Sequence, residues 1–568
     1  MEIKNLGMSL CVLGVALTGC VDDNYDLSDI DTTTRVDVND LVIPLNMDAV
    51  TLKTVIDPDA DSKIKIVNVD GQDMYVLQSD GSFNSKAIEI AGFTATTGAL
   101  DPTVRTLTKL DVPGLPSSTY RFDVVEMGND FSYDENGVDE SIISVEHLGL
   151  ENAVFKIDFT VSTQASLIQS ITFSNLELQM PAGLEIVGEP SVGSYNPADG
   201  KWSIPTFTCN GSAGSVSMTV NGADFGGNSP LGADHNFHYA ASCKVLSGQM
   251  DITTNGGATL GSTVDLRADY SMGDMKAKTF TGVVKYNIDD LNVSPIELTN
   301  LPEFLSGSET NIRIANPEIL LDINNPVANY GLYYQTGLTL TAEREGQPGQ
   351  SYSLNNPYFT VAATPGTQKF VIKPASTPTR AGYTAVDFDA QSDVLSGKGL
   401  PKTIAINLND PMVPQQRVAD FDLNSQLPSV NGHYEIFAPL ELEAGSTVVY
   451  THRNDGWNDE DVDAITINSL SMTATAKNNT NLDVELKAYP LNVSGARIPG
   501  VEITSTIVKA GAEQPIEMVM TGTVTHLDGI EYVAHTIAGQ NQKILTPSDN
   551  IDLTNIRVRV TGYYEKEL

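Results

Sequence analysis

The stretch I-T-F-S-N-L-E-L-Q-M, Ile171 to Met180, carries apolar side chains on one parity before Asn175 and on the other parity after it. Ile171 and Phe173 alternate with Thr172 and Ser174; then Leu176, Leu178 and Met180 alternate with Glu177 and Gln179. Successive residues of a strand face opposite sides, so a strand written this way holds one extra residue, as a bulge or kink. Asn, Asp and Ser suit that place because their side chains bond locally to the backbone, and Asn or Asp also tolerates positive φ.

The pattern recurs more often than composition alone gives. It appears as V-D-V-N-D-L-V-I-P-L from Val36, L-G-L-E-N-A-V-F-K-I from Leu148, I-T-I-N-S-L-S-M-T-A from Ile465 and I-D-L-T-N-I-R-V-R-V from Ile551. With one Pro allowed, Y-N-I-D-D-L-N-V-S-P from Tyr286 and I-R-I-A-N-P-E-I-L-L from Ile312 follow it. A strand that kinks and changes face is a device by which a β-sandwich passes the chain from sheet to sheet. Period-2 runs dominate elsewhere, and no long capped 3.6-period stretch occurs. The expected fold is all-β, with tandem β-sandwich modules of immunoglobulin-like or similar kind. Their expected limits are 36–140, 141–300, 301–435 and 436–568.

Within the third module, I-A-N-P-E-I-L-L-D-I-N-N-P-V, Ile314 to Val327, sets two Asn-Pro pairs around an alternating strand. This resembles the small sandwich domains of the late-embryogenesis-abundant type 2 class, and the resemblance implies a fold but no function.

The N-terminus speaks to location. An apolar run from Leu6 to Leu17 is too short to span a bilayer as a helix and has the layout of a secretory signal. It ends in Leu17-Thr18-Gly19-Cys20, which resembles the lipobox of bacterial lipoproteins. The resemblance implies that residues 1–19 are a signal peptide and that Cys20 is the lipidated N-terminus. Several acyl chains on one residue hold a protein at a membrane where a single chain does so only marginally. Residues 20–35 then form an acidic tether with Asp22, Asp23, Asp26, Asp29 and Asp31. Acids just after the cysteine resemble the surface-export signals of Bacteroidetes lipoproteins, which implies the outer face of the outer membrane.

Composition excludes some partners. Of 568 residues, 72 are acidic and 33 basic, so the formal net charge is -39. Such a field repels phosphate backbones, so a nucleic-acid partner is not expected. It also disfavours direct adsorption to an anionic leaflet, which leaves the Cys20 lipid as the membrane link. The 41% hydrophobic content still fits a folded chain. Beyond Cys11 and Cys20, only Cys209 and Cys243 remain. In an oxidising compartment they form either one structural disulfide or two buried thiols.

Catalytic templates are missing. There is no G-x-S-x-G, H-E-x-x-H or G-x-G-x-x-G, and S-G-K-G-L-P at Ser396 lacks the hydroxyl that a P-loop needs after its Lys. His235 and His238 lie three apart outside any helix, a turn and strand edge rather than a zinc site. One loop stands out: H-R-N-D-G-W-N-D-E-D-V-D, His452 to Asp463. Trp457 lies there among Asp455, Asp459, Asp461 and Asp463. Either the indole closes its own hairpin loop over the sandwich end, or it is exposed to stack a sugar while the acids bond hydroxyls or hold Ca²⁺.

The expectation is therefore a non-enzymatic, surface-anchored binding or adhesion protein for a glycan or protein ligand, with no cofactor unless Ca²⁺. Three rivals stand beside it: a pilus subunit resembling the Bacteroidetes fimbrillins, with Arg35 as the processing site, a periplasmic scaffold, and a surface hydrolase.

Overall fold

A computed structural model describes residues 33–567, apart from 46–49, 57–61, 70, 290, 292, 300, 355, 424–425, 458–464 and 538–542. The signal peptide, Cys20 and most of the tether therefore lie outside the described residues. Among the described residues no helix is long and apolar enough to cross a membrane.

Strand is nearly the only regular structure among the described residues. The first part of the chain gives β1 (Thr33–Leu45), β2 (Gln72–Asn84), β3 (Thr119–Val124) and β4 (Met127–Glu135). The middle gives β5 (Ile142–Val161), β6 (Ile168–Gln179), β7 (Lys201–Asn210), β8 (Ala213–Asp224), β9 (Phe237–Thr254), β10 (Thr263–Ser271) and β11 (Met275–Asn287). Then come β12 (Glu318–Asn324), β13 (Thr367–Lys373), β14 (Met412–Asp422) and β15 (Asn431–Pro439). The last part gives β16 (Val449–Asn454), β17 (Ile465–Asn478), β18 (Asp483–Asn492), β19 (Glu513–Thr521), β20 (Leu527–Ile537) and β21 (Asn550–Glu567).

These strands form stacked antiparallel sheets. In the central sandwich, one sheet runs β7-β6-β9-β3 with β4 also on β9, and the other runs β8-β5-β11-β14 with β10 on β5. Aromatic side chains join the two: Phe159 of β5 lies 5.0 Å from Phe173 of β6, and Tyr133 of β4 stacks on Phe155 of β5. A third sheet runs β13-β12-β15-β2. The C-terminal sandwich pairs a sheet β1-β21-β17-β19 with a sheet β16-β20-β18.

The parity switch in the sequence marks ladder irregularities. The pairing slips between Val38 and Leu41 around Asp40, between Ser174 and Glu177 around Asn175, and between Ile467 and Ser469. It slips again beside Asn555 and beside Asn152. Asp40, Asn175, Asn316 and Asn555 all have positive φ, from 47° to 61°. Asp290, the marked residue of the Tyr286 segment, lies outside the described residues. The extra residue resets the alternation, so Ile171 and Phe173 are buried and so are Leu176 and Leu178.

One expectation about these kinks is corrected. The strands do not pass between sheets; β5, β6, β17 and β21 each stay within one. What changes at the kink is the neighbour. β9 pairs with β4 along Phe237–Val245 and with β3 along Gly248–Thr253, beside the Asn175 bulge. A Cβ at Gly248 would stand 2.7 Å from Leu176 Cδ1, so the bulge needs glycine opposite it.

The sheets also cross the expected module limits. The segment 36–140 makes no sheet of its own: β1 pairs with β21, β2 pairs with β15, and β3 and β4 pair with β9. Alternation is a local signal and says nothing about which strand lies alongside, so strand positions were readable and partners were not.

Two buried asparagines close strand ends in the same way. After β12, Asn325 donates to Leu332 O and Ala362 O at 2.8 Å and accepts from Val327 N–H. At the end of β17, Asn478 donates to Leu482 O and Val508 O and accepts from Thr480 N–H. Each supplies the bonds its turn would otherwise lack.

Candidate functional site

The Trp457 loop follows β16. Trp457 is half-buried against the C-terminal core, and its Nε1–H donates to Asn454 Oδ1 at 3.3 Å. The preceding Gly456 N–H reaches Asp528 Oδ2 at 3.4 Å. This is the arrangement of an indole that covers the sandwich end. Asp455 is exposed, while Asp459, Asp461 and Asp463 lie outside the described residues. Among the described residues, no three His, Cys, Asp or Glu side chains gather as metal ligands.

Cys209 and Cys243 are free thiols. Cys209 of β7 sits opposite Ile171, near the start of β6. Cys243 of β9 is buried with its Sγ 3.5 Å from Met180 Sδ, just beyond the far end of β6. That is roughly 30 Å along the strand, whereas a disulfide needs Cα atoms within about 7 Å. The disulfide alternative is thereby corrected, and burial pushes both thiols up.

Other marked residues turn out to be structural. His238 Nδ1 lies 2.6 Å from Asp134 Oδ1 across β9 and β4. Hydrogen bonds from Ser132 and then from His238 hold the Asp134 carboxyl below its usual range. Ser132 bonds the carboxylate rather than the imidazole, which is the wrong order for a nucleophile triad. The S-G-K-G-L-P loop wraps a cation: Arg344, 8% exposed, donates to the carbonyls of Val394, Ser396 and Gly399. A phosphate cradle would present N–H groups instead.

The C-terminal sandwich holds what the sequence did not mark. Glu531 of β20 is 1% exposed and accepts from two arginines. Arg453 Nε of β16 donates to Oε2 at 2.7 Å, and Arg497 Nε donates to Oε1 at 2.6 Å. Arg497 also lies 3.8 Å from the Tyr489 ring centre. Two guanidinium groups on one carboxylate leave a net positive charge, and both arginines are about half-exposed. They line a polar depression of about 690 Å³ with Ser308, Glu309, Thr310 and Thr451.

On the other side of β16, between the two sheets, lies an apolar cavity of about 150 Å³. Met472, Val484, Leu486, Met518, Tyr532 and Ala534 are among its walls. Phe304 and Tyr450 line both the cavity and the depression. Left empty, a void of this size costs on the order of 4 kcal/mol. Asp549 also borders it; burial pushes its carboxyl up, against the Thr546 N–H that donates to it at 2.9 Å. No signal in the sequence pointed here, because Arg453, Arg497 and Glu531 are far apart in the chain and lie in no motif.

No family model and no curated protein matches this chain. Among solved structures, it is similar to a "putative secreted protein" from Parabacteroides distasonis ATCC 8503. The identity is 14%, the match covers 50% of this chain and 89% of that one, and the TM-score is 0.34. A likeness at that score carries no argument.

Proposed function

We propose that the chain is a lipid-anchored envelope protein of the Bacteroidetes surface-lipoprotein type, whose β body is a non-enzymatic binding module. The lipobox-like Leu17–Cys20 and the acidic tether support the anchor. The observation that carries the architecture is the pairing of β1 with β21 from Thr33↔Glu567 onward. The tether therefore enters at the edge of the C-terminal sandwich and not at an N-terminal module. From Cys20 to Thr33 the chain spans at most about 45 Å. The C-terminal sandwich is thus the membrane-proximal part of this reading. Glycan or protein ligands would meet the loops of the other sheets.

The test is palmitate labelling of cells carrying wild-type or Cys20→Ala chain, with protease shaving of intact cells beside a periplasmic control. Label on wild type alone, with the chain digested and the control intact, supports the reading. Equal label on both chains sinks the anchor; survival of the chain with the control makes it a periplasmic protein.

A second reading has one observation behind it. β1 is an edge strand with Val36 and Val42 nearly half-exposed, and its loss would bare the ladder of β21. That fits a fimbrillin-like subunit assembling by strand exchange. Mature protein trimmed beyond Leu45, so that β1 is lost, in a detergent-resistant ladder would favour it.

A further inference from the structure

We infer that the cavity between the two sheets of the C-terminal sandwich is a binding site for a small, uncharged aromatic molecule of about the size of one benzene ring. The site goes beyond the reading above, since it depends neither on the lipid anchor nor on a glycan or protein ligand at the loops.

The gap has a cause in the side chains. On one sheet, Ala534 of β20 pairs with Tyr450 of β16 on one side and with Leu486 of β18 on the other. Its methyl group leaves the middle of that row low. On the facing sheet, Met472 of β17 and Met518 of β19 are direct cross-strand partners. All of these side chains line the cavity. The core also divides here: Met472 and Met518 belong to the C-terminal core cluster, whereas Val448, Leu482 and Leu545 belong to the main one. Side chains on the two walls therefore lack partners across the gap, and a guest that filled it would supply the missing contacts.

Size and lining set the class of guest. The volume is about 150 Å³, and an apolar cavity of that size stays dry and takes up a benzene-sized ring. Met472 and Met518 are unbranched and can reshape around a guest, and their thioethers favour contact with an aromatic ring. Charge of either sign is disfavoured, because the ionisable residues on the wall are already engaged or face water. Asp549 accepts from Thr546 N–H, Lys487 Nζ lies 3.0 Å from Glu485 Oε2, and His452 is exposed. A carboxylate or ammonium carried inside would lose its water for apolar walls.

Fluorobenzene and fluorobenzoate are the probes, followed by fluorine NMR on full chain carrying Cys20→Ala, which keeps acyl chains and detergent out of the sample. Fluorobenzene is expected to bind saturably, and fluorobenzoate at least tenfold more weakly. Ala534→Leu fills the low point of the row and should weaken fluorobenzene at least tenfold. Met518→Ala widens the cavity and should bind fluoronaphthalene at least tenfold more tightly than the parent chain does. A melting curve for each variant separates lost binding from lost folding; if Ala534→Leu does not fold, Met518→Ala decides.

No saturable binding of fluorobenzene, equal binding of fluorobenzoate, or fluorobenzene binding unmoved in a folded Ala534→Leu chain would overturn the inference. So would fluoronaphthalene binding no tighter to Met518→Ala than to its parent. None of these results bears on palmitate labelling, so the anchor stands or falls separately.

Discussion

The central and C-terminal sandwiches use the same bulged strands and fill them differently. Trp202, Tyr133, Phe122, Phe155, Phe159, Phe173 and Phe237 are all under 2% exposed in the centre. The C-terminal core has no aromatic side chain among its buried members; Ile, Leu, Met, Ala and Val make it up. Rings of the centre meet across the sheets at 5.0 to 6.3 Å, whereas the C-terminal sheets leave a cavity. Equal backbones thus give one closed interior and one with room. Side-chain volume, not strand pattern, decides which.

The contrast breaks most directly with paired truncations. Phe173→Ala should cost about 3–5 kcal/mol in urea unfolding, since a packed ring leaves a void that neighbours cannot fill. Met518→Ala borders a cavity already present and should cost less, about 2 kcal/mol, because its side chain has fewer partners to lose. Equal costs would mean that the cavity is filled in solution.

Asn478→Leu should cost about 2–4 kcal/mol by leaving the carbonyls of Leu482 and Val508 without donors, and Asn325→Leu should match it. A large difference between the two would separate the sandwiches by their turns as well as their cores. Asn175→Ala should cost about 1–2 kcal/mol at φ 47°, with Asn175→Gly nearly neutral; both are read from the urea midpoint.

Two smaller effects concern buried polar groups. The Asp549 carboxyl is raised in the fold, so the folded state keeps a proton that the unfolded chain releases near pH 4. Stability should therefore fall as pH rises from about 4 through the raised value, then level off. Asp549→Asn should remove that slope and be the more stable chain at pH 7, with no advantage at pH 4. Tyr75, fully buried with an unpartnered hydroxyl, is pushed up to about 12 by desolvation. Tyr75→Phe should be neutral or stabilising by about 1 kcal/mol in the same assay.

The candidate site was legible only in part. An indole set among acids left Trp457 open to either loop cover or exposure, and the structure half-buries it against the C-terminal core. Arg453, Arg497 and Glu531 could not be found, because each alone reads as a solvated strand residue. The Cys209 and Cys243 pair failed for a related reason: equal-looking strand ends place no constraint on distance.

The sequence by itself determined the strands and, to within a residue, the points where they bulge, at Asp40, Asn175, Ser469 and Asn555, because parity and local hydrogen bonding are properties of a few neighbouring residues. Only the tertiary structure decided that β1 closes on β21, that β2 joins β15, and that two arginines share one buried carboxylate beside a cavity. Those choices depend on how side-chain volumes and ladder edges meet across hundreds of residues, and alternation is blind to that distance.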